Sequence, residues 1–357
     1  MATPPSSGPL VPDIDVLING SPIPAATLTY VADVVVDESV ELPSMFAFAM
    51  SSSDVQGQAL PWIDDQNLFS MGNAVEIKLG YAGNLTSLMI GEITALEPEF
   101  TYSRLPILRV RGYDRRHRLQ RGRKTRTFLQ QKDSDIASQI GGAAGLSVQA
   151  TDSGTSLDYV LQANQTDWEF LCERARLIRY EVVVQDKTLF FQPVANDKNE
   201  VLTLGLENDL LEFHPRLSSA GQATEVKVQS WSVKDKKAVL GDSTPGDEVS
   251  TMGGQSSGAA ITQTAFGDSV EVVSNQPVGT QAEADQLAKA RFNELVLQLI
   301  SGEGVCRGRT DLRAGKVIKI DGIGQRFGGR YYVTSAIHRY SPIGGYLTEF
   351  IVRRNAS

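Results

Sequence analysis

Apolar side chains alternate with polar or small ones along the first third of the chain. Residues 46–50, 75–79 and 107–113 show this period of two, which is typical of half-buried β-strands. Asn19-Gly20 is a typical hairpin turn. Several short strands joined by turns favour a β-sandwich or β-barrel here.

The pattern changes in the middle of the chain, where helical spacing replaces alternation. Thr166 and Glu169 have the spacing of a capping box, which predicts that a helix carrying Trp168 begins there. Residues 180–184 and 188–192 are predicted to form a hairpin. The middle of the chain is therefore predicted to be a small α+β domain.

A second β-rich part follows. Residues 224–231 alternate at period two, and residues 280–300 form the longest helical pattern in the chain. Residues 241–279 are rich in Gly, Ser, Thr and Asp, which predicts a loop or linker. Residues 304–353 contain four further predicted strands separated by glycine-rich turns.

These patterns predict an α+β fold that is mostly β, with two β-rich parts flanking a small α+β domain. The predicted organisation is a flexible N-terminal arm (1–12), a first β domain (13–118), a small α+β domain (119–198), and a second β domain (199–357) with the linker insertion 241–279 and the helix 280–300.

Composition narrows the choice of function. The 357 residues include 34 Lys+Arg and 42 Asp+Glu, a formal charge of −8 that argues against a general affinity for polyanions. The first residues lack the features of a signal peptide, and no apolar run reaches the roughly 20 residues of a membrane span. We expect assembly in a cytosol and no membrane insertion. The distant Cys172 and Cys306 are predicted to be free thiols.

Candidate catalytic chemistry is sparse. His117, His214 and His338 are far apart, and no second ligand stands at helical or hairpin spacing from any of them. The sequence also lacks an H-E-x-x-H motif and a phosphate loop ending in Gly-Lys-Ser/Thr. We therefore predict no catalytic, cofactor-binding or metal-binding residues, and no enzymatic activity.

A basic run is the sharpest local feature of the sequence. Such a run can bind nucleic acid, line a channel for polyanions, pair with acidic patches of neighbouring subunits, or remain a solvated face. Since the chain is acidic and no aromatic residue interrupts the run, we predict no specific nucleic-acid recognition and favour inter-subunit or channel contacts. The candidate residues are Arg115, Arg116, Arg118, Arg121, Arg123, Lys124 and Arg126.

Several segments together resemble one family, the late control gene D proteins of contractile-tailed phages. These are baseplate hub proteins, similar also to the N-terminal hub part of VgrG-type spike proteins. The segments are Leu-Pro-Ser-Met-Phe-Ala-Phe (42–48), Gly-Asn-Ala-Val-Glu-Ile-Lys-Leu-Gly (72–80), Met-Ile-Gly-Glu-Ile-Thr (89–94), Gly-Tyr-Asp (112–114), Tyr-Val-Leu-Gln-Ala-Asn-Gln-Thr-Asp-Trp-Glu-Phe-Leu (159–171) and Phe-Gly-Gly-Arg-Tyr-Tyr-Val-Thr-Ser-Ala-Ile-His (327–338).

The resemblance implies two β-barrel domains similar to the tail tube protein, and a homotrimer that presents six such domains. That ring would join the sixfold tube to a threefold spike, within a phage tail baseplate or an injection-system particle assembled in the bacterial cytoplasm. The implied partners are the tail tube protein, a separate central spike protein (since the hub-like strands end near Ser357), and baseplate wedge or LysM-type adaptor proteins.

Two other functions stay open at this point. Residues 133–192 are where a peptidoglycan- or carbohydrate-binding module is expected, because small middle domains of hub proteins can resemble wall-binding folds. A tail-associated hydrolase would instead require a clustered acid pair or a Cys/His pair in a cleft.

Overall fold

The computed structural model describes residues 11–51, 68–102 and 105–357. Most of the predicted arm 1–12 lies outside these ranges, and Pro12 already belongs to the first strand. The elements of the first part are β1 (Pro12–Ile18), β2 (Ser21–Pro22), α1 (Ala25–Leu28), β3 (Val31–Ser39), β4 (Met45–Ser51), β5 (Ala74–Tyr81), β6 (Asn84–Glu99) and β7 (Ile107–Tyr113).

The predicted alternation places one face of these strands in a core. Val34 and Val36 of β3 are fully buried and lie opposite Phe48 and Phe46 of β4. Burying branched and aromatic side chains on one face of a sheet is what stabilises such a layer. The period-two prediction is therefore confirmed for β4.

The middle part begins with a 3-10 helix and contains two α-helices. The predicted capping box is confirmed, because the Glu169 N–H donates to Thr166 Oγ1 (3.1 Å) and the Thr166 N–H donates to Glu169 Oε2 (3.0 Å). The elements are the 3-10 helix (Arg115–Gln120), β8 (Lys124–Lys132), α2 (Asp133–Ala143), β9 (Ser147–Ala150), β10 (Ser156–Gln165), α3 (Asp167–Leu177), β11 (Tyr180–Gln185) and β12 (Thr188–Pro193). The predicted hairpin is the antiparallel pair β11–β12.

The last part is again mostly β. Its elements are β13 (Leu202–Gly205), β14 (Leu210–Leu217), β15 (Glu225–Ser232), β16 (Lys237–Ser243), α4 (Gly258–Phe266), β17 (Val270–Val273), α5 (Gln281–Val296), β18 (Ile300–Arg307), β19 (Val317–Asp321), β20 (Gly329–Ser341) and β21 (Gly345–Arg354). Strands contain 49% and helices 17% of the described residues, which confirms the predicted mostly β class.

The prediction of a loop or linker over 241–279 is wrong in its centre. Helix α4 begins at an N-cap where Ser257 Oγ accepts the Ala260 N–H (3.3 Å), and β17 pairs in parallel with β15. Ala259 of α4 and Met252, which precedes it, are buried, so this segment packs against the rest of the chain. The helix predicted at 280–300 ends at Val296, because Ile300 already begins β18.

Two six-stranded units have the same strand order. Within the described ranges, the first runs β3-β4-β7-β6-β5-β1 and the second β14-β18-β21-β20-β19-β13. If the strands of each unit are numbered along the chain, both orders are 2-3-6-5-4-1. One pairing differs, since β1 is antiparallel to β5 whereas β13 is parallel to β19. Sheet β15–β17 and helices α4 and α5 are inserted between the second and third strands of the second unit.

Strand β20 joins the two units into one sheet. Its first residues pair with β19, and its residues 335–340 pair with β3 of the first unit. Each unit keeps its own hydrophobic cluster, one around Phe46 and Val110 and the other around Tyr331 and Phe350. We call the β3–β20 contact the seam.

Candidate functional site

The first half of the basic run lies against a buried carboxylate of β6. Glu92 accepts hydrogen bonds from Arg115 Nε (3.1 Å) and Arg118 Nη2 (2.6 Å), and His117 Nε2 lies 2.9 Å from its Oε2. Burial alone would raise the pKa of Glu92, but the hydrogen bonds from Arg118 and His117 lower it below the usual value. Arg115 also pairs with Asp186 of the β11–β12 turn. These charges connect the first unit to the middle part.

Arg116 is the most deeply buried cation of the run, with 2% of its surface exposed. Its Nε donates to Asp114 Oδ2 (2.6 Å) and its Nη2 donates to Ser44 Oγ (2.5 Å). Its guanidinium carbon lies 5.5 Å from the centroid of the Trp168 ring. Arg116 therefore holds the start of α3 against Ser44, the residue that precedes β4 of the first unit.

The second half of the run pairs with the first turn of α3. Arg123 Nη2 donates to Glu169 Oε1 (3.0 Å), while Lys124 Nζ and Arg126 Nη2 donate to the two oxygens of Asp167 (2.6 Å each). Arg121 is exposed and has no ion pair within the part of the chain that the structure describes.

Six of the seven candidate cations thus pair within the chain. Their partners come from β6, the β11–β12 turn, the 3-10 helix cap and α3. Inter-subunit or channel contacts by this run stay a prediction, with Arg121 the residue most available for them. The predicted clustering of charge is real, but acids distant in sequence neutralise most of it.

Reactive side chains are held in unreactive states. Burial raises the pKa of the free thiols Cys172 and Cys306 to about 12, so both are protonated at neutral pH. Burial, followed by the nearby charge of Arg313, lowers the pKa of His338 to about 3. Over residues 11–51, 68–102 and 105–357, no group of three or more His, Cys, Asp or Glu side chains could hold a metal ion.

One motif was missed in the sequence. Residues 254–258 spell Gly-Gln-Ser-Ser-Gly, the spacing of a nucleophile elbow. An elbow needs a strand before the turn and a helix after it, and here turns precede α4. The nucleophile position of the motif is Ser256, and the next residue, Ser257, caps α4 and forms a β-bridge with Ala356. The motif is a helix start.

The seam has polar groups packed inside it. His338 Nδ1 lies 2.8 Å from the Tyr346 hydroxyl, and the Tyr346 ring lies 5.8 Å from the Tyr81 ring of the first unit. The Tyr81 hydroxyl donates to the carbonyl of Gly308 (3.1 Å). The two units are therefore joined beside the seam by a ring contact and by a hydrogen bond from a side chain to the main chain.

A cavity of about 170 Å³ lies where the middle part meets the seam, between α3, α5, β11 and β20. The Tyr332 hydroxyl of β20 donates to Glu181 Oε2 of β11 (2.5 Å), and Gln192 Nε2 donates to Glu181 Oε1 (3.0 Å). Burial raises the pKa of Glu181 despite these two donors. This contact ties the middle part to the strand that joins the units.

Among the open strand edges of the described ranges are one on β14 and one on β6. The outer edge of β14 and the β6 segment 95–99, on its side facing away from β7, have no strand partner in the described ranges. Open edges carry unpaired N–H and C=O groups that can bind another strand.

None of the described helices has the length and apolarity to cross a bilayer.

Solved structures share this fold over nearly the whole chain. The 43 kDa tail protein of prophage MuSo2 from Shewanella oneidensis has a TM-score of 0.73 at 14% identity, with 96% of this chain and 98% of that chain covered. A tail protein from Neisseria meningitidis MC58 has a TM-score of 0.70 at 13% identity, with 96% and 97% covered. The E. coli c3393 protein, a type VI secretion system component with structural similarity to T4 phage tail proteins gp27 and gp5, has a TM-score of 0.62 at 13% identity, with 96% and 77% covered.

The chain therefore has the fold of these tail and secretion-system proteins. It belongs to the family whose model is described as the Alg8 N-terminal domain and matches residues 10–341. A search of curated proteins gives no match to the sequence. The description of the matching family differs from the late control gene D family that the motifs resemble, whereas the fold agrees with that resemblance.

Proposed function

We propose that the chain is a non-enzymatic hub of a contractile tail or injection machine, a homotrimer that joins a sixfold tube to a threefold spike. The observation that carries the proposal is the pair of six-stranded units with one strand order in a single chain. Three copies of a two-unit chain present six similar units in a ring, which matches a sixfold neighbour on one side and a threefold neighbour on the other.

The division into domains 13–118, 119–198 and 199–357 belongs to the same proposal. Each part has its own hydrophobic cluster, and the insertion between β14 and β18 has a further cluster. The late control gene D resemblance supports the tail tube protein, a separate spike protein and wedge or LysM-type adaptors as partners. It also supports a location in the baseplate of a virion or injection particle.

The state of the reactive groups supports a structural role. The thiols are protonated, His338 is neutral, and the charges around Glu92 are used in ion pairs that join the parts of the chain. Such a network stabilises one arrangement of the parts, as an assembly component requires.

Mass photometry and negative-stain imaging of the purified chain test the proposal. We expect a trimer with a ring-shaped projection that binds a tail tube protein. A monomer at high concentration that forms no ring with tube or spike partners would refute the hub function.

A second candidate is cell-wall binding by residues 133–192. Tyr159 and Leu161 of β10 are 59% and 45% exposed, and Tyr159 pairs with the exposed Leu129 of β8. Exposed aromatic and aliphatic groups on a sheet can stack on sugar rings. A pull-down on purified peptidoglycan, with Tyr159→Ser as the matched variant, tests this function: loss of wild-type binding in the variant supports it, and absence of wild-type binding refutes it.

A further inference from the structure

The two units agree in register as well as in strand order. In β6 a β-bulge falls at Thr94, two residues after pairing with β5 ends at Glu92. In β20 a β-bulge falls at Thr334, two residues after pairing with β19 ends at Tyr332. Bulges are specific backbone features, so this agreement assigns equivalent positions in β6 and β20.

A second pair of bulges assigns the equivalent positions of β3 and β14. In β3 the bulge is at Ala32, between the first two residues that pair with β4. In β14 the bulge is at Leu211, between the first two residues that pair with β18. Segment 34–39 of β3 therefore corresponds to segment 213–218, which contains most of β14.

These equivalences show which edge segments of the two units correspond to the paired segments of the seam. Within the chain, β20 residues 335–340 pair with β3 residues 34–39 to form the seam. The corresponding segments, 95–100 and 213–218, both lie on open edges. Each unit thus has the same two edges, and the chain satisfies one of the two possible junctions.

We propose that the open edge of β6 in one copy binds the open edge of β14 in the next copy, in the register of the seam. The inference rests on the proposed ring and identifies its subunit contact. It is head-to-tail, because the two edges differ, and it repeats the step already present between the two units of one chain. A ring of three chains then contains six similar junctions.

The side chains that this register brings together are complementary. Glu97 would lie opposite Arg216, Glu99 opposite His214, and Leu96 opposite Leu217. The two glutamates, His214 and Arg216 are exposed, and Leu217 is 37% exposed. Opposite charges and apolar pairs directly across two strands stabilise their pairing.

Two prolines make the proposed junction differ from the seam. In the seam, the Val40 N–H donates to the Thr334 carbonyl (3.1 Å), so every second residue from Thr334, including His338, faces β3 with its N–H and C=O. The equivalent of His338 in β6 is Pro98, and the equivalent of its partner in β14 is Pro215. Neither proline can donate, so the junction lacks the two main-chain hydrogen bonds of this pair and depends on the pairs that flank it.

A disulfide tests the register directly. In the proposed register, Glu97 and Arg216 form a non-hydrogen-bonded pair that lies between two hydrogen-bonded pairs. The Cα atoms of a non-hydrogen-bonded pair are about 4.5 Å apart, a distance that a disulfide can span. We expect Glu97→Cys/Arg216→Cys to give, under oxidation, a covalent species of three chains and no larger one. Glu97→Cys/Leu217→Cys is the matched control, because it shifts the register by one residue and places the two thiols on opposite faces.

Charge reversal provides a second readout. Glu97→Arg and Arg216→Glu alone are expected to shift the trimer towards monomer, and the double variant is expected to restore it. A trimer that forms in all variants and gives no disulfide in the first cysteine pair would overturn this inference and leave the hub function standing. A wild-type chain that never forms a trimer would overturn both.

Discussion

Arg313 and Glu38 form a bidentate ion pair beside the seam. Arg313 lies in the loop between β18 and β19, and its Nε donates to Glu38 Oε2 of β3 (2.7 Å) while its Nη2 donates to Oε1. The same guanidinium donates to the carbonyl of Leu88 in β6. One side chain of the second unit thus binds two strands of the first.

Replacing Arg313 should loosen the junction of the units. Arg313→Leu is expected to lower the free energy of unfolding by about 2 kcal/mol, because it leaves the buried Glu38 carboxylate without its charged donors. Urea unfolding followed by tryptophan fluorescence measures this. Arg339→Ala is the control, because the exposed Arg339–Glu349 pair should contribute about 0–1 kcal/mol. Equal effects of the two substitutions would contradict the assigned importance of Arg313.

His338 should make the stability depend on pH. Its pKa is about 3 in the folded protein against about 6.5 when unfolded, so the unfolded chain binds the extra proton between these values. Stability should therefore fall as the pH falls, by about 1.4 kcal/mol for each unit between about pH 6.5 and about pH 3.

Unfolding measured at about pH 7 and about pH 5 tests this slope. His338→Gln should lose less stability over that interval than the wild-type chain. Parallel curves for the two proteins would rule out the assigned role of His338.

Arg116 should be far more important for stability than its neighbour in the basic run. Arg116→Ala leaves Asp114 buried without its partner, and we expect a loss of about 3–5 kcal/mol. Arg121→Ala removes the same side chain from an exposed position and should change stability by less than about 0.5 kcal/mol. Thermal unfolding of both variants gives the comparison, and similar melting temperatures would contradict it.

The capping box of α3 gives a smaller effect. Thr166→Ala removes the acceptor of the Glu169 N–H and should lower stability by about 1 kcal/mol. Thr264→Ala in α4 is the control, since its hydroxyl only bonds back to the Ala260 carbonyl within the helix. Denaturant midpoints that move equally in both variants would argue against the cap.

Local features of the fold were predictable from the sequence, because neighbouring residues determine them. The period-two strands around Phe46 and the helix start at Thr166 depend on side chains within a few positions of each other. Helix α4 was missed, because its small residues are also typical of loops. The β17 pairing that follows it uses β15, which lies far back in the chain.

The contacts of the basic run were harder to predict from the sequence, because the partners of its side chains lie far away along the chain. Composition located the basic run, but its partners Glu92 and Asp186 lie on other elements. The internal repeat is also hidden, since equivalent positions carry chemically unlike residues, such as Val36 and Pro215. Backbone register preserves an equivalence that the side chains no longer show.

The order of synthesis gives the seam a consequence for folding. Strand β3 leaves the ribosome long before β20, so its edge stays open while the middle part and the insertion are being made. Pairing of such distant segments is slow because a long loop must close first. Until β20 is made, the nascent chain therefore carries an additional open strand edge, which can bind other strands and is a site of aggregation.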